Sequence, residues 1–460
     1  MVLPVKKVNH YLQGDPVIWV VFFLLCMISL IEVFSSASSL SYSTGNYMRP
    51  LYMQAFFLSL GALVVVAFHH IPCRFFKIIP IVAYPLSVIM LILTLLVGTK
   101  ANGGARWLDL GVQFQPSEFA KGVLVITVAL VLSYGQTEKG ADKRAMKIIL
   151  WLTGIVCGLI FTENLSTAVL LFTTVLIMMF VGRVPLKQMA RLMATLVAIG
   201  AAVVLVVLVT PDKVLDKVSV LHRMDTWVDR VSDFCGNSET QNRYDYEKLE
   251  RDFILQNNGG ELTREQDSLV TLMKNRANLL YLREHAQEAH ADIAIASSNG
   301  VGKMPGNSEQ RDYLAQAYSD FIYAIIIEEM GIVGGVVVVF LYIVLLFRTG
   351  RIASRCERNF PAFLAMGLAI LIVLQAMMNV LVAVGLAPVT GQPLPLISRG
   401  GTSIIINSVY FGMILSVSHY ARKRPEDKAE SQPAVKALPA ESEEPVETEA
   451  PDEAAPEDRH

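Results

Sequence analysis

The sequence predicts an all-α polytopic membrane protein with about ten transmembrane helices. Three observations carry this. The 460 residues are 53% hydrophobic and only 17% charged, too apolar for a soluble globular chain. Apolar runs of about 20 residues, the length that spans a bilayer, recur along the chain. Lysine and arginine concentrate in alternate loops.

The first run, 16–38, lacks a small-residue cleavage site, so it reads as an anchor and not a removed signal. Runs at 51–69 and 78–98 follow. The fourth, 116–134, opens on Pro116, which suits a first helical turn. The fifth and sixth, 147–162 and 165–182, form one apolar stretch. It is split at Glu163-Asn164 because an unbroken helix would overshoot the bilayer. The seventh is 187–210. A polar loop, 211–320, separates it from the last three, at 321–347, 361–384 and 402–420.

One set of loops carries Lys6/Lys7, Arg74/Lys77, Lys139/Lys143/Arg144/Lys147, Arg183/Lys187/Arg191, Arg348/Arg351/Arg355/Arg358 and Arg422/Lys423/Arg424. The alternate short loops carry Arg49, Lys100, Arg106 and Arg399. The asymmetry predicts cytoplasmic N- and C-termini, and a large extracytoplasmic loop, 211–320, between the seventh and eighth helices. Residues 1–424 then form the membrane domain, with a charged insertion at about 240–290. Residues 425–460, rich in Glu, Pro and Ala, read as a disordered acidic cytoplasmic tail. Four of the five cysteines lie in or beside apolar runs, which argues against a disulfide framework. A net charge of −2 gives no sign of nucleic-acid binding.

Four polar clusters converge on the outer side. In 102–122, Arg106-Trp107 offers a cation beside an interfacial ring, and Glu118 and Lys121 lie i,i+3 on one helix face. The pair reads either as a helix-start ion pair or, with Arg106, as a phosphate site. Glu163-Asn164-Leu165-Ser166-Thr167 is a polar break that reads as a tight turn. In 300–331, Ser319 or Asp320 stands where the loop re-enters the apolar phase, as a helix cap or a reactive acid. On an ideal helix Glu328 flanks the face of Asp320 and Glu329 points the opposite way. In 385–403, three prolines and four glycines forbid regular helix, so a re-entrant loop lining a cavity is expected. Gly400, Gly401, Thr402 and Ser403 offer free backbone N–H groups to an anion.

Acids beside phosphate-binding groups point to a glycosyltransferase using a lipid-linked phosphate. A carboxylate takes a hydroxyl proton and basic groups stabilise a diphosphate. A transporter with Glu328 and Glu329 on its polar path is the competing reading. No Cys/His metal set, nucleotide-binding glycine fingerprint or Ser-His-Asp order is present.

NGGARWLDLG…QPSEFAK, SDFIYAIIIEEMG and PVTGQPLPLISRGGTS resemble, in order, the signatures of the FtsW/RodA/SpoVE (SEDS) family. The resemblance covers about residues 12–424 apart from the insertion. The acidic tail and HRMDTW (222–227) favour the division-type branch, that of FtsW. The resemblance implies polymerisation of lipid II into glycan strands outside the bacterial cytoplasmic (inner) membrane, at the division septum. The aspartate of the LPExxTDFIFA motif falls on Asp320, the expected catalytic base. Arg106, Lys121 and the Gly400-Gly401 turn become candidates for the pyrophosphates; Trp107, Glu118, Ser319, Glu328, Arg399 and Ser403 complete the expected substrate-binding set. Implied partners are lipid II, a class B penicillin-binding protein transpeptidase and other divisome proteins. A divalent cation, Mg or Mn, is compatible with a diphosphate. Lipid II flippase and divisome scaffold are alternative roles. The chain departs from the family pattern at Ala315-Gln316 (Pro-Glu), Asn164 (aspartate) and Arg399 (tyrosine in many relatives).

Overall fold

A computed structural model describes residues 13–36, 48–101, 104–109, 113–137, 140–209, 264, 266–272, 274, 286–314 and 317–430. Residues 1–421 form one compact unit and 422–460 a second, of which 422–430, all helical, are described. The rest of the expected acidic tail lies outside the described residues. So do HRMDTW and most of the 240–290 insertion, whose described residues are helical.

The helices are α1 Pro16–Ser36, α2 Arg49–His69, α3 Ile79–Val97, α4 Pro116–Tyr134, α5 Lys143–Phe161, α6 Leu165–Val181, α7 Leu186–Val209, α8 Ala286–Ser297, α9 Ile322–Arg355, α10 Asn359–Ala383 and α11 Gly401–Glu430. All ten expected spans fall on helices. Among the described residues, eight helices are long and apolar enough to cross a membrane. The expected spans outside that set are α6, 17 residues long, and α7. The chain is thus a polytopic helical membrane protein.

Local chemistry sets the boundaries. Asp15 caps α1 by accepting from the Val17 N–H at 2.9 Å. Its other oxygen accepts from Arg348 Nε at 2.7 Å, which ties α9 to the start of α1 and accompanies a helix that ends eight residues beyond the expected 347. The turn at Glu163-Asn164 is real: Asn164 caps α6 by accepting from the Thr167 N–H at 3.3 Å. Between α3 and α4 the chain forms three short antiparallel strands, β1 Thr99–Ala101, β2 Gly104–Asp109 and β3 Gln113–Phe114. Thr99 pairs with Trp107 and Leu108 with Phe114.

Burial grades across the bundle. The apolar stretches of α4, α10 and α11 are 72%, 67% and 67% buried, against 22% for α2 and α3. The three buried helices are therefore central, and the exposed faces of α2 and α3 suit lipid. α9 packs along α10, and α10 against α4 and α6.

α9 is not one regular rod. Gly331 has φ 71° and ψ −175°, a left-handed-side conformation inside the helix. The 300–304 loop strap fills the break. Lys303 N–H donates to Glu328 O at 2.9 Å and Met304 N–H to Glu329 O at 2.8 Å, while Ile332 N–H donates to Gly300 O at 3.1 Å. A Cβ on Gly331 would lie 2.6 Å from the Gly300 carbonyl oxygen, and one on Gly302 would lie 2.4 Å from Glu329 O. Only glycine fits either position.

Candidate functional site

Asp320 lies in a turn two residues ahead of α9 and is half-buried. Its Oδ1 accepts from Ser319 Oγ at 3.0 Å. Its backbone oxygen accepts from Asn379 Nδ2 of α10 at 2.8 Å, and the same amide donates to Gln392 O of the re-entrant loop at 2.8 Å. Ser398 Oγ donates to Ser319 O at 2.6 Å and accepts from the Leu394 N–H at 2.7 Å. The Arg399 N–H donates to Tyr318 O at 2.9 Å, and its guanidinium lies 5.4 Å from the Tyr318 ring centroid. The turn bearing Asp320 is thus clasped between α10 and the 385–400 loop. Apart from the Ser319 hydroxyl on Oδ1, these bonds fix the backbone around a half-buried Asp320.

The clasp rests on a buried polar chain. Gln392 Nε2 donates to Thr167 Oγ1 of α6 at 2.6 Å. Gln375, one turn from Asn379 on α10, donates to Pro393 O at 3.1 Å and accepts from Lys121 Nζ at 2.9 Å. Lys121 also donates to Glu118 Oε1 at 2.7 Å. Both members of that pair are buried, Lys121 completely. Further bonds pin the loop to α1 and α9: Ser29 Oγ to Ile397 O at 2.9 Å and Tyr342 OH to Pro395 O at 2.5 Å. Non-helical backbone inside a membrane protein needs such partners, because no lipid can supply them.

Of the expected site residues, the fold brings Ser319, Asp320 and Arg399 into one bonded cluster, and Gly400, Gly401 and Ser403 follow directly at the start of α11. Ser403 accepts from Asn407 Nδ2 through its backbone oxygen at 2.9 Å. Trp107 is half-buried on β2; Arg106 lies on the same strand, its side chain outside the described residues. Glu118 and Lys121 take the ion-pair alternative. Lys121 is enclosed, its ammonium engaged by Glu118 and by Gln375, through which it braces the loop.

Glu328 and Glu329 do not follow the ideal-helix expectation. Both are buried and both grip the loop that precedes Asp320. Glu328 accepts from Lys303 Nζ at 3.0 Å, Ser308 Oγ at 2.5 Å and the Glu309 N–H at 3.1 Å. Glu329 accepts from Ser35 Oγ and from the Gly306 and Ser308 N–H groups at 3.1 and 3.2 Å. The loop wraps both faces of α9, so helical rotation does not separate the two acids. One acid was not anticipated: Glu32 in α1 is fully buried, with neither carboxylate oxygen hydrogen-bonded among the described residues.

Asn379, Gln375, Gln392 and Ser398 were also not anticipated. The first two carried a visible signal: polar residues at i and i+4 in an otherwise apolar run share one helix face. Among the described residues no group of three or more His, Cys, Asp or Glu side chains is arranged to hold a metal ion.

Fold and site define a class: a polytopic helical membrane protein with a carboxylate clasped by a re-entrant loop at one end of the bundle. The chain belongs to the FtsW/RodA/SpoVE family of cell cycle proteins, whose pattern matches residues 15–239 and 266–423. It is 30% identical over 399 residues to a probable peptidoglycan glycosyltransferase FtsW of Nitrosococcus halophilus, covering 84% of this chain and 87% of that one. It is 26% identical over 375 residues to the peptidoglycan glycosyltransferase MrdB of Escherichia coli, covering 80% and 84%. Among solved structures it resembles a chain of a peptidoglycan synthase complex that coordinates polymerization and crosslinking, with TM-score 0.60, 22% identity, and 90% and 100% coverage. The Thermus thermophilus rod shape determining protein RodA is similar at TM-score 0.57, 21% identity, and 90% and 99% coverage.

Proposed function

We propose that this protein is a peptidoglycan glycosyltransferase that polymerises lipid II at the outer face of the bacterial cytoplasmic membrane during division. The observation that carries the reading is the clasp: a half-exposed carboxylate on a turn held by Asn379, Ser398 and the Arg399 N–H. The lysine and arginine asymmetry supports an outward-facing Asp320 end, and the curated relatives named as glycosyltransferases support the activity.

In this mechanism Asp320 accepts the proton from the 4-hydroxyl of the acceptor N-acetylglucosamine. That oxygen attacks the anomeric carbon of the lipid-linked donor as the bond from that carbon to the diphosphate oxygen breaks. The undecaprenyl diphosphate leaves with the electron pair. Arg399 and the first-turn N–H groups of α11, from Gly401 to Ser403, stabilise its growing charge. Ser319 orients the carboxylate. A class B penicillin-binding protein transpeptidase is the proposed partner, in keeping with the synthase complex among the structural relatives.

Purified protein with its partner and lipid II tests the reading. Wild type should form glycan strands, and Asp320→Ala should lose roughly 100-fold or more in rate, the worth of a general base. Equal strand formation by both sinks the assignment, and translocation of lipid II in liposomes without polymer supports the flippase instead. Arg399→Tyr should weaken lipid II binding roughly tenfold, the scale of one charge-assisted contact. Unchanged affinity on titration removes Arg399 from the diphosphate site.

A further inference from the structure

At the end of the bundle away from Asp320, three helix ends meet around a cleft of about 240 Å³. Lys77 stands just before α3, Ser133 and Tyr134 end α4, and Arg358 and Asn359 open α10 above the buried Phe360 ring. This is the opposite end because α9 begins beside Asp320 and finishes at Arg355, three residues before Arg358.

The cleft is electrostatically unfinished. The Lys77 ammonium lies 5.7 Å from the Tyr134 ring centroid and 5.6 Å from that of Phe360. The two rings hold it in place without neutralising it. Among the described residues no carboxylate forms a salt bridge with Lys77 or Arg358. Glu357 stands on the rim, so two cations face one acid. Arg358 is the N-cap of α10 and makes no side-chain cap bond, so the first N–H groups of a 25-residue helix also open here.

Below the cations the surface turns apolar. Ile78, Ile81 and Val82 at the start of α3 are 55%, 71% and 65% exposed. A cationic, hydroxyl- and amide-lined pocket above an exposed aliphatic wall matches a phosphate group joined to alkyl chains. The wall belongs to the exposed face of α3 that suits lipid, so a lipid headgroup reaches the cations with its chains already alongside. Tyr134, 74% exposed, is an amphipathic ring of the kind that sits at headgroup level.

We infer that this cleft is a binding site for the headgroup phosphate of an anionic membrane phospholipid. Lys77 and Arg358 bind the phosphate, Ser133 and Asn359 border the headgroup, and the chains descend along α3. The site is separate from Asp320 and does not depend on the proposed polymerase activity.

Native mass spectrometry of the full chain, released from nanodiscs containing phosphatidylglycerol or phosphatidylcholine, tests this. Wild type should retain phosphatidylglycerol in preference to phosphatidylcholine. Lys77→Gln with Arg358→Gln should weaken retention roughly tenfold, given the worth of a basic residue at an anionic surface. Arg358 is exposed, so Arg358→Gln alone leaves packing intact and should weaken it by a smaller factor. Lys143→Gln with Arg144→Gln, at a different basic helix start, should retain as wild type does. Equal retention by wild type and the Lys77/Arg358 variants overturns the proposal, as does equal loss in the Lys143/Arg144 control. Competition by glycerol phosphate as effective as by the lipid overturns the lipid source in favour of a soluble phosphate.

Discussion

Lys121 donates hydrogen bonds to Glu118 and Gln375 with no access to solvent. A buried ion pair returns little net stability, yet breaking it strands a charge. Lys121→Met should therefore cost roughly 3–5 kcal/mol of unfolding free energy. The double change Lys121→Met with Glu118→Gln should cost less than the single one. Chemical denaturation in detergent measures both, and a double variant as unstable as the single would contradict the pairing. The i,i+3 spacing of this pair was legible in the sequence. Its third member was not, because Gln375 lies on another helix and only the fold brings them together. Asp320 was legible as an acid at a loop–helix junction; the clasp that holds it depends on contacts between segments distant in the chain.

The break in α9 is a property of two segments together. The 300–304 strap donates to carbonyls that the break at Gly331 leaves available. Gly331→Ala places a methyl against the Gly300 carbonyl and forces a strained φ, so it should cost about 1–3 kcal/mol or more. Hydrogen exchange across 298–312 should rise, since the strap loses its seat; unchanged protection there would contradict this account of the kink. The glycines at 300, 302 and 306 could be read as an irregular loop, but periodicity along α9 gives no sign of where that loop docks. For the same reason helical rotation, with Glu328 flanking the face of Asp320 and Glu329 opposite it, did not show that both acids bind this loop. Lys303 clips the strap to Glu328 and Glu309 at 3.0 and 3.2 Å. Its partial burial favours the neutral amine, but the hydrogen bonds and charges of the two glutamates outweigh that and raise its pKa above the usual lysine value. A raised folded-state pKa means that the clip contributes fully below the ordinary lysine pKa. It is lost as pH rises through the folded value. The thermal-midpoint difference between wild type and Lys303→Gln should stay constant from pH 6 to 9 and shrink only in strongly alkaline buffer. A difference that shrinks near neutrality would contradict the clip.

Across the whole molecule, span length indicated the ten helices because the bilayer imposes it. The strands at 99–114 escaped, being too short to show a period against the apolar background. The prolines of 385–403 announced irregular backbone but not its partners on α1, α6, α9 and α10. Those partners make the Asp320 end of the bundle one connected polar assembly, through which the helices jointly position a single carboxylate. The most direct measurement uses Asp320→Asn, which keeps the side chain's shape and its contact with Ser319 while removing the base. Lipid II binding should stay within about twofold, while the strand-forming rate of the purified complex should fall roughly 100-fold or more. A variant that binds and polymerises like wild type would contradict the role given to Asp320.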